Sequence, residues 1–208
     1  MPGPTDLSLF VAALVAVYLL PGPDMALVMS AAMSGGTRHG LAAAAGLATA
    51  RAIHVMLAGA GLAALLAAHP ALLTAIRWVG AGYLLWLAWK VAMSAGQLAL
   101  DRQTDGASAW DAARRGLLTN LLNPKALMFC ALLLPQFVHR DEGSLAAQYL
   151  VLGLVLVGIG FVFDLCYVRL AGRLAAWLSA SPRAAQMQRL GFATVFGLAA
   201  IRLAMRED

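Results

Sequence analysis

The fold this sequence predicts is an all-α integral membrane protein of six transmembrane helices. They form two inverted three-helix repeats, with the first and fourth helices broken by proline. Three observations predict it. The 208 residues are 62% hydrophobic and only 12% charged, outside the range of soluble globular domains. Six apolar stretches reach or approach the roughly 20 residues a helix needs to cross a bilayer core. Two proline breaks, Leu20-Pro21-Gly22-Pro23-Asp24-Met25-Ala26 and Leu122-Asn123-Pro124-Lys125-Ala126, lie in the first and fourth stretches. Each break is followed directly by a charge, and Pro23 and Pro124 stand 101 residues apart.

The six expected spans run over 7–33, 41–68, 72–95, 116–138, 145–170 and 187–203. The stretch from Met1 to Leu20 that leads into the first contains Asp6 and no Lys or Arg. It therefore reads as a retained span and not as a secretory signal. Gly46 and Gly59 in the second, Gly80 and Gly82 in the third, and Gly153, Gly158 and Gly160 in the fifth read as positions of close helix packing, as does Gly61. Trp78, Trp86, Trp89 and Lys90 flank the third span at interface depth, with Trp86 and Trp89 also suited to packing inside. The longest polar connection, 97–115, carries Asp101, Arg102, Asp105, Asp111, Arg114 and Arg115. It divides a single transporter domain (1–208) into repeat one, about 1–97, and repeat two, about 116–208. Three is odd, so duplicating a three-helix unit places the second copy upside down in the membrane.

Basic residues near span ends set orientation. Nine of them (Arg38, Lys90, Arg102, Arg114, Arg115, Arg169, Arg173, Arg183, Arg189) fall on one side and four (Arg77, Arg140, Arg202, Arg206) on the other. The loops joining spans 1–2, 3–4 and 5–6 are thus expected in the cytoplasm, with both termini outside. The net charge of +5 is accounted for by these loops, and no basic stripe interleaved with aromatics marks a nucleic-acid partner. Cys130 and Cys166 sit deep in apolar runs without CxxC spacing, so they read as small buried hydrophobes.

Proline inside a helix removes a donor and frees carbonyls that lipid cannot satisfy. Pro21-Gly22-Pro23 does so twice in three residues, which favours an unwound segment over a kink. Pro23 suits the first position of a new helix, and Asn123 suits the N-cap before Pro124. Two such N-termini near the bilayer midplane would bind a carboxylate. Asp24 supplies a negative charge for a substrate ammonium or a proton, and Lys125 supplies a positive one. The expected substrate site is Pro21, Gly22, Pro23, Asp24, Asn120, Asn123, Pro124 and Lys125. The competing reading is an Asp24–Lys125 ion pair that pins the halves together.

Asp164 is the other acidic residue well inside an apolar run. Together with Asp24 it is the candidate for proton coupling, and a structural partnership with Arg51 is the alternative. Arg51 and His54, three residues apart on one helical face, are cavity-lining candidates along with Thr49. Gln136 adds a further amide on the fourth span. No cofactor is implied. A divalent-metal exporter would need ligands gathered at one depth, which Asp24, Asp164, His54, Cys130 and Cys166 do not suggest. An intramembrane enzyme would need a motif such as HExxH or GxSxG, and neither occurs.

At these residues the chain resembles the LysE/RhtB family of amino-acid exporters. The likeness runs through Pro21-Gly22-Pro23-Asp24, the stretch from Gly40 to Thr49, Gly80-Ala81-Gly82-Tyr83-Leu84 through Lys90, and Gly116 through Ala126 and on to Pro135-Gln136-Phe137. The resemblance implies proton-driven export of a free amino acid across a bacterial inner membrane, in the branch that favours threonine, homoserine or leucine. The divalent-cation exporters of the same superfamily are the runner-up. Ala50-Arg51 departs from the family pattern of a glycine and an uncharged or acidic residue, and its positive charge disfavours cationic substrates. Monomer and homodimer are both left open.

Overall fold

The computed structural model describes residues 3–19, 22–61, 65, 68–93, 108–139, 143–178 and scattered positions between 186 and 205. Among them every regular element is helical: α1 (Pro4–Leu19), α2 (Pro23–Gly59), α3 (Pro70–Met93), α4 (Ala109–Leu121), α5 (Pro124–Met128) and α6 (Leu145–Leu178). A π-helical turn (Phe129–Leu133) and a 3-10 turn (Leu134–Phe137) continue α5. Pro21 and most of the 97–115 connection lie outside the described residues, as does about half of the sixth expected span.

Two helices, α2 and the stretch Leu145–Arg173, are long and apolar enough to cross a bilayer. The pair Ala109–Leu121 and Lys125–Phe137, bent by 58°, passes that test jointly. Helix α1 has 16 residues, short of a full crossing by itself.

Helix α2 is not straight. Gly36 has φ 76° and ψ −176°, a backbone region open essentially to glycine alone. A Cβ placed on Gly40 would lie 2.7 Å from the Ala32 Cβ, whereas residues eight apart in a straight helix stand about 12 Å apart. The chain therefore folds back at Gly36, and the expected first and second spans meet there with no polar loop between them.

The second arm of α2 buries Gly40, Ala43, Ala44, Leu47, Ala50, Arg51, His54, Val55 and Ala58, the i, i+3, i+4 spacing of one helical face. That face packs mainly on α4 and α6. Glycine sets the distance to α4. A Cβ on Gly46 would collide with the Ala113 carbonyl oxygen, and one on Gly116 would collide with the Ala43 carbonyl oxygen. Without a hydrophobic force between helices in lipid, such backbone approach is the main source of attraction. Gly153 is likewise pressed against the Val55 side chain, whereas a Cβ on Gly59 would meet the Tyr149 ring in ordinary contact. Among the described residues nothing lies within 4 Å of a Cβ on Gly82 or Gly158, and Gly61 occupies a positive-φ turn, so the packing expected of those three is not found there. Trp78, Trp86 and Trp89 are all exposed, which places the α3 indoles outward. Cys130 is buried, but Cys166 is exposed. One lies on an inward face and the other on an outward one, a distinction invisible within a uniformly apolar run.

Among the described residues the core forms two main apolar layers, with Leu127 and Ala131 making a small third cluster. One gathers Ala26–Ala32, Ala43, Leu47, Leu84, Ala112, Val168 and Ala171; the other gathers Phe10, Leu14, Val55, Ala58, Cys130, Leu134, Leu152 and Leu156. We name them the 26–32 layer and the 10–14 layer. The segment α1 to the first arm of α2 runs from the 10–14 layer to the 26–32 layer, and the second arm returns. The segment α4 to α5 starts in the 26–32 layer at Ala112 and ends in the 10–14 layer, and α6 returns. The segment from α1 to the first arm of α2 and the segment from α4 to α5 thus run between the layers in opposite directions, as do the second arm of α2 and α6. All four pass through a thin polar zone between the layers.

Candidate functional site

That polar zone is assembled from the middle of each crossing. Gly22, with extended backbone, precedes Pro23 at the start of α2, and no side chain caps this N-terminus. Asp24 follows in the first turn, where a carboxylate is favoured by the free N–H groups. Its Oδ2 accepts a 2.6 Å hydrogen bond from Asn120 Nδ2, and its Oδ1 accepts one of 3.4 Å from Asn123 Nδ2. Arg51 Nη2 stands 3.9 Å from Asp24 Oδ2.

Arg51 is committed chiefly to Asp164. Nη1 donates to Oδ2 at 2.6 Å and Nη2 donates to Oδ1 at 3.2 Å, the paired-fork arrangement that suits a guanidinium and a carboxylate. The guanidinium also lies 5.1 Å from the centroid of the Tyr18 ring, within cation–π range. Gly160 makes room for both groups, since a Cβ there would sit 2.6 Å from the Tyr18 hydroxyl and 2.8 Å from Arg51 Nη1. Two carboxylates thus share one guanidinium. Such an arrangement is costly at bilayer depth unless a further positive charge joins it.

The end of α1 is served by α5 and α6. Tyr167 donates through its hydroxyl to the Tyr18 carbonyl at 2.6 Å, and Lys125 donates through Nζ to the Val17 carbonyl at 3.4 Å. These are carbonyls that a helix terminus leaves without intrahelical partners, and a cation there is favoured by the helix dipole. Lys125 is exposed on the cavity rim and is engaged with α1, while Asp24 engages Asn120, Asn123 and Arg51. Asn123 has a double task. Its Oδ1 accepts from the Lys125 backbone N–H at 3.0 Å, capping α5, while its amide nitrogen reaches Asp24.

The zone encloses a cavity of about 80 Å³, room for a handful of waters at roughly 10–15 Å³ each or for one small zwitterion. Asp24, Arg51, His54, Asn120, Asn123 and Lys125 line it, as do Gly22, Pro23 and Asp164. Pro124 begins α5, and Pro21 lies outside the described residues. Thr49 does not line the cavity. It is exposed, with its hydroxyl bonded back to the Ala45 carbonyl. Two residues before Arg51 means a rotation of about 200° around the helix, which is the opposite face. Gln136 is likewise exposed and bonded to the Leu132 carbonyl. Tyr18, Tyr167, Phe129 and Cys130 also line the cavity. Tyr18 and Tyr167 carried a legible signal, a hydroxyl inside an apolar run, that sequence reasoning passed over. Among the described residues no group of three His, Cys, Asp or Glu is placed to hold a metal ion.

Several cavity-lining polar atoms are buried without a hydrogen-bond partner among the described residues: both ring nitrogens of His54, Nε of Arg51 and Oδ1 of Asn120.

The chain matches the family model described as LysE type translocator over residues 15–207. It is 33% identical over 186 residues to a homoserine/homoserine lactone efflux protein of Salmonella typhimurium, with 89% of each chain covered. It is also 33% identical over 151 residues to a leucine efflux protein of Klebsiella pneumoniae, covering 72% of this chain and 71% of that one. An uncharacterized membrane protein of Vibrio cholerae is 34% identical over 184 residues, with 88% of each covered. No solved structure matches.

Proposed function

Because the chain belongs to the LysE type translocator family, we propose that it exports a neutral free amino acid from the bacterial cytoplasm in exchange for a proton. The observation that carries this reading is the charge arrangement of the cavity. Asp24 and Asp164 share the single guanidinium of Arg51, so the trio holds one negative charge in excess when both carboxylates are ionised. A substrate ammonium neutralises it, and so does a proton. Both at once would leave an excess positive charge. Mutual exclusion of ammonium and proton at one site is the requirement for their exchange.

The substrate carboxylate lies opposite, toward the uncapped α2 N-terminus and the Lys125 ammonium. The names of the relatives, homoserine/homoserine lactone efflux protein and leucine efflux protein, favour a neutral substrate. Arg51 in the cavity acts in the same direction, because like charge repels a cationic side chain. The opposite crossing directions of the two halves support an inverted repeat, with α1–α2 and α4–α5 as its proline-broken spans. The Lys/Arg bias supports cytoplasmic loops near 34–40, 96–115 and 171–186. A divalent cation in place of the amino acid has no ligand group behind it among the described residues.

The test is efflux of radiolabelled threonine, homoserine, leucine and lysine from loaded proteoliposomes, with a divalent metal as the contrasting cargo. Asp24→Asn should abolish amino-acid efflux. Asp164→Asn should remove the response to an imposed pH gradient while exchange continues. Unchanged proton dependence in Asp164→Asn would reduce that carboxylate to a structural anchor for Arg51.

A further inference from the structure

We propose that Tyr18 is a positioning residue for Arg51: its ring holds the guanidinium on Asp164 and so keeps the Asp24 carboxylate available to the cargo ammonium. The inference rests on the export reading above and deepens it. Arg51 stands between two carboxylates. Its fork is closed on Asp164 at 2.6 Å and 3.2 Å, yet it remains 3.9 Å from Asp24 Oδ2. Both carboxylates line the cavity, and the amides that reach Asp24 are neutral and leave its charge uncancelled. Charge alone therefore does not choose between them.

What separates the two carboxylates is the Tyr18 ring. The guanidinium carbon lies 5.1 Å from its centroid, where the face of a ring attracts a cation. The ring is itself fixed to the helix that carries Asp164. Its hydroxyl donates to the Leu156 carbonyl at 3.3 Å, and its face stacks on Phe163 with centroids 5.5 Å apart. The Tyr18 backbone carbonyl accepts from the Tyr167 hydroxyl at 2.6 Å. Leu156, Phe163 and Tyr167 all belong to α6, as does Asp164. Gly160 of the same helix leaves the niche that the Tyr18 hydroxyl and Arg51 Nη1 both occupy. Carboxylate and ring thus form one preformed seat for the guanidinium, and Asp24, at the start of α2, competes from outside it. Without the ring the guanidinium is shared more evenly between the carboxylates. A molecule with Arg51 on Asp24 must lose that contact before an ammonium can bind, so apparent affinity falls with the fraction of molecules in which Asp24 is open.

The experiment measures the concentration dependence of threonine and leucine efflux from loaded proteoliposomes. Tyr18→Leu should raise KM by about three- to thirtyfold, with the maximal rate within about threefold of wild type. Tyr18→Met carries the same expectation and stands in should the leucine variant fail to fold. Tyr18→Phe keeps the ring face and loses only the bond to Leu156, so its KM should stay within about twofold of wild type. In an Asp164→Asn background the guanidinium has already moved to Asp24, and adding Tyr18→Leu should change KM by less than about twofold. A ring that merely packs would add its full effect there. Wild-type KM in the non-aromatic variants overturns the positioning role while leaving amino-acid export standing. So does a Tyr18→Phe variant as impaired as Tyr18→Leu, a lost maximal rate at unchanged KM, or full additivity with Asp164→Asn. Absence of saturable efflux of either amino acid by wild type overturns the export reading, and this inference with it.

Discussion

The Gly22–Pro23 junction and the Asn123–Pro124 junction look alike in sequence and differ in what they leave open. At Asn123 the side-chain oxygen caps the following Lys125 N–H, so the start of α5 is satisfied from within. At Gly22 no side chain is available, and among the described residues no side-chain cap hydrogen bond forms. The first turn of α2 is left for a carboxylate, its own Asp24 and beyond it a ligand. Even the charges after the prolines diverge. Asp24 points its carboxylate into the polar zone, while Lys125 turns its ammonium toward the end of α1. Two similar breaks have become an open end and a self-sealed one, with the Lys125 ammonium on the rim of the cavity they share.

The largest effect that would break this comparison comes from the open end. Asp24→Asn should reduce efflux by at least about a hundredfold, since losing one member of a buried charge cluster costs roughly 2–5 kcal/mol. Insertion and folding should persist, because an amide can still meet the Asn120 and Asn123 amides. Retained efflux would place the ammonium elsewhere.

Arg51→Ala comes next and acts on stability, stranding two carboxylates at the centre of the molecule. A loss of about 3–5 kcal/mol is expected, read as a lower unfolding temperature in detergent. The double variant Arg51→Ala with Asp164→Asn should recover part of it.

Gly36→Ala should cost about 1–3 kcal/mol through backbone strain alone, because open space surrounds that position. A normal melting temperature would mean the chain does not turn there.

The smallest effect belongs to the self-sealed end. Asn123→Ala should remove about 1 kcal/mol of capping and slow efflux modestly through the lost contact to Asp24. If Asn123→Ala were as damaging as Asp24→Asn, the two junctions would not differ in role.

Much of this site was legible because membranes make polar residues conspicuous. Asp24, Arg51, His54, Asn120, Asn123 and Asp164 stand out from apolar runs, and all six line one cavity. The i, i+3 spacing placed Arg51 and His54 on a common face, and the same geometry should have excluded Thr49. Pairing was not legible. Arg51 and Asp164 are 113 residues apart, and no local rule chooses between a proton carrier and an ion-pair partner. Nor could sequence distinguish Gly160, which clears space for the Arg51 guanidinium, from Gly158, which faces open space. Both read as small residues in an apolar helix. The fold-back at Gly36 was hidden for another reason. The turn needs a single residue with positive φ, whereas a connection of seven residues, 34–40, was expected.

The central claim is that one excess negative charge in the Asp24–Asp164–Arg51 cluster is neutralised by either an ammonium or a proton. It is tested most directly by measuring proton movement that accompanies threonine efflux from proteoliposomes carrying a pH-sensitive dye. The account predicts about one proton moving inward for each threonine moving outward, with the coupled flux lost in Asp24→Asn. Threonine efflux at full rate with no accompanying proton movement would contradict it.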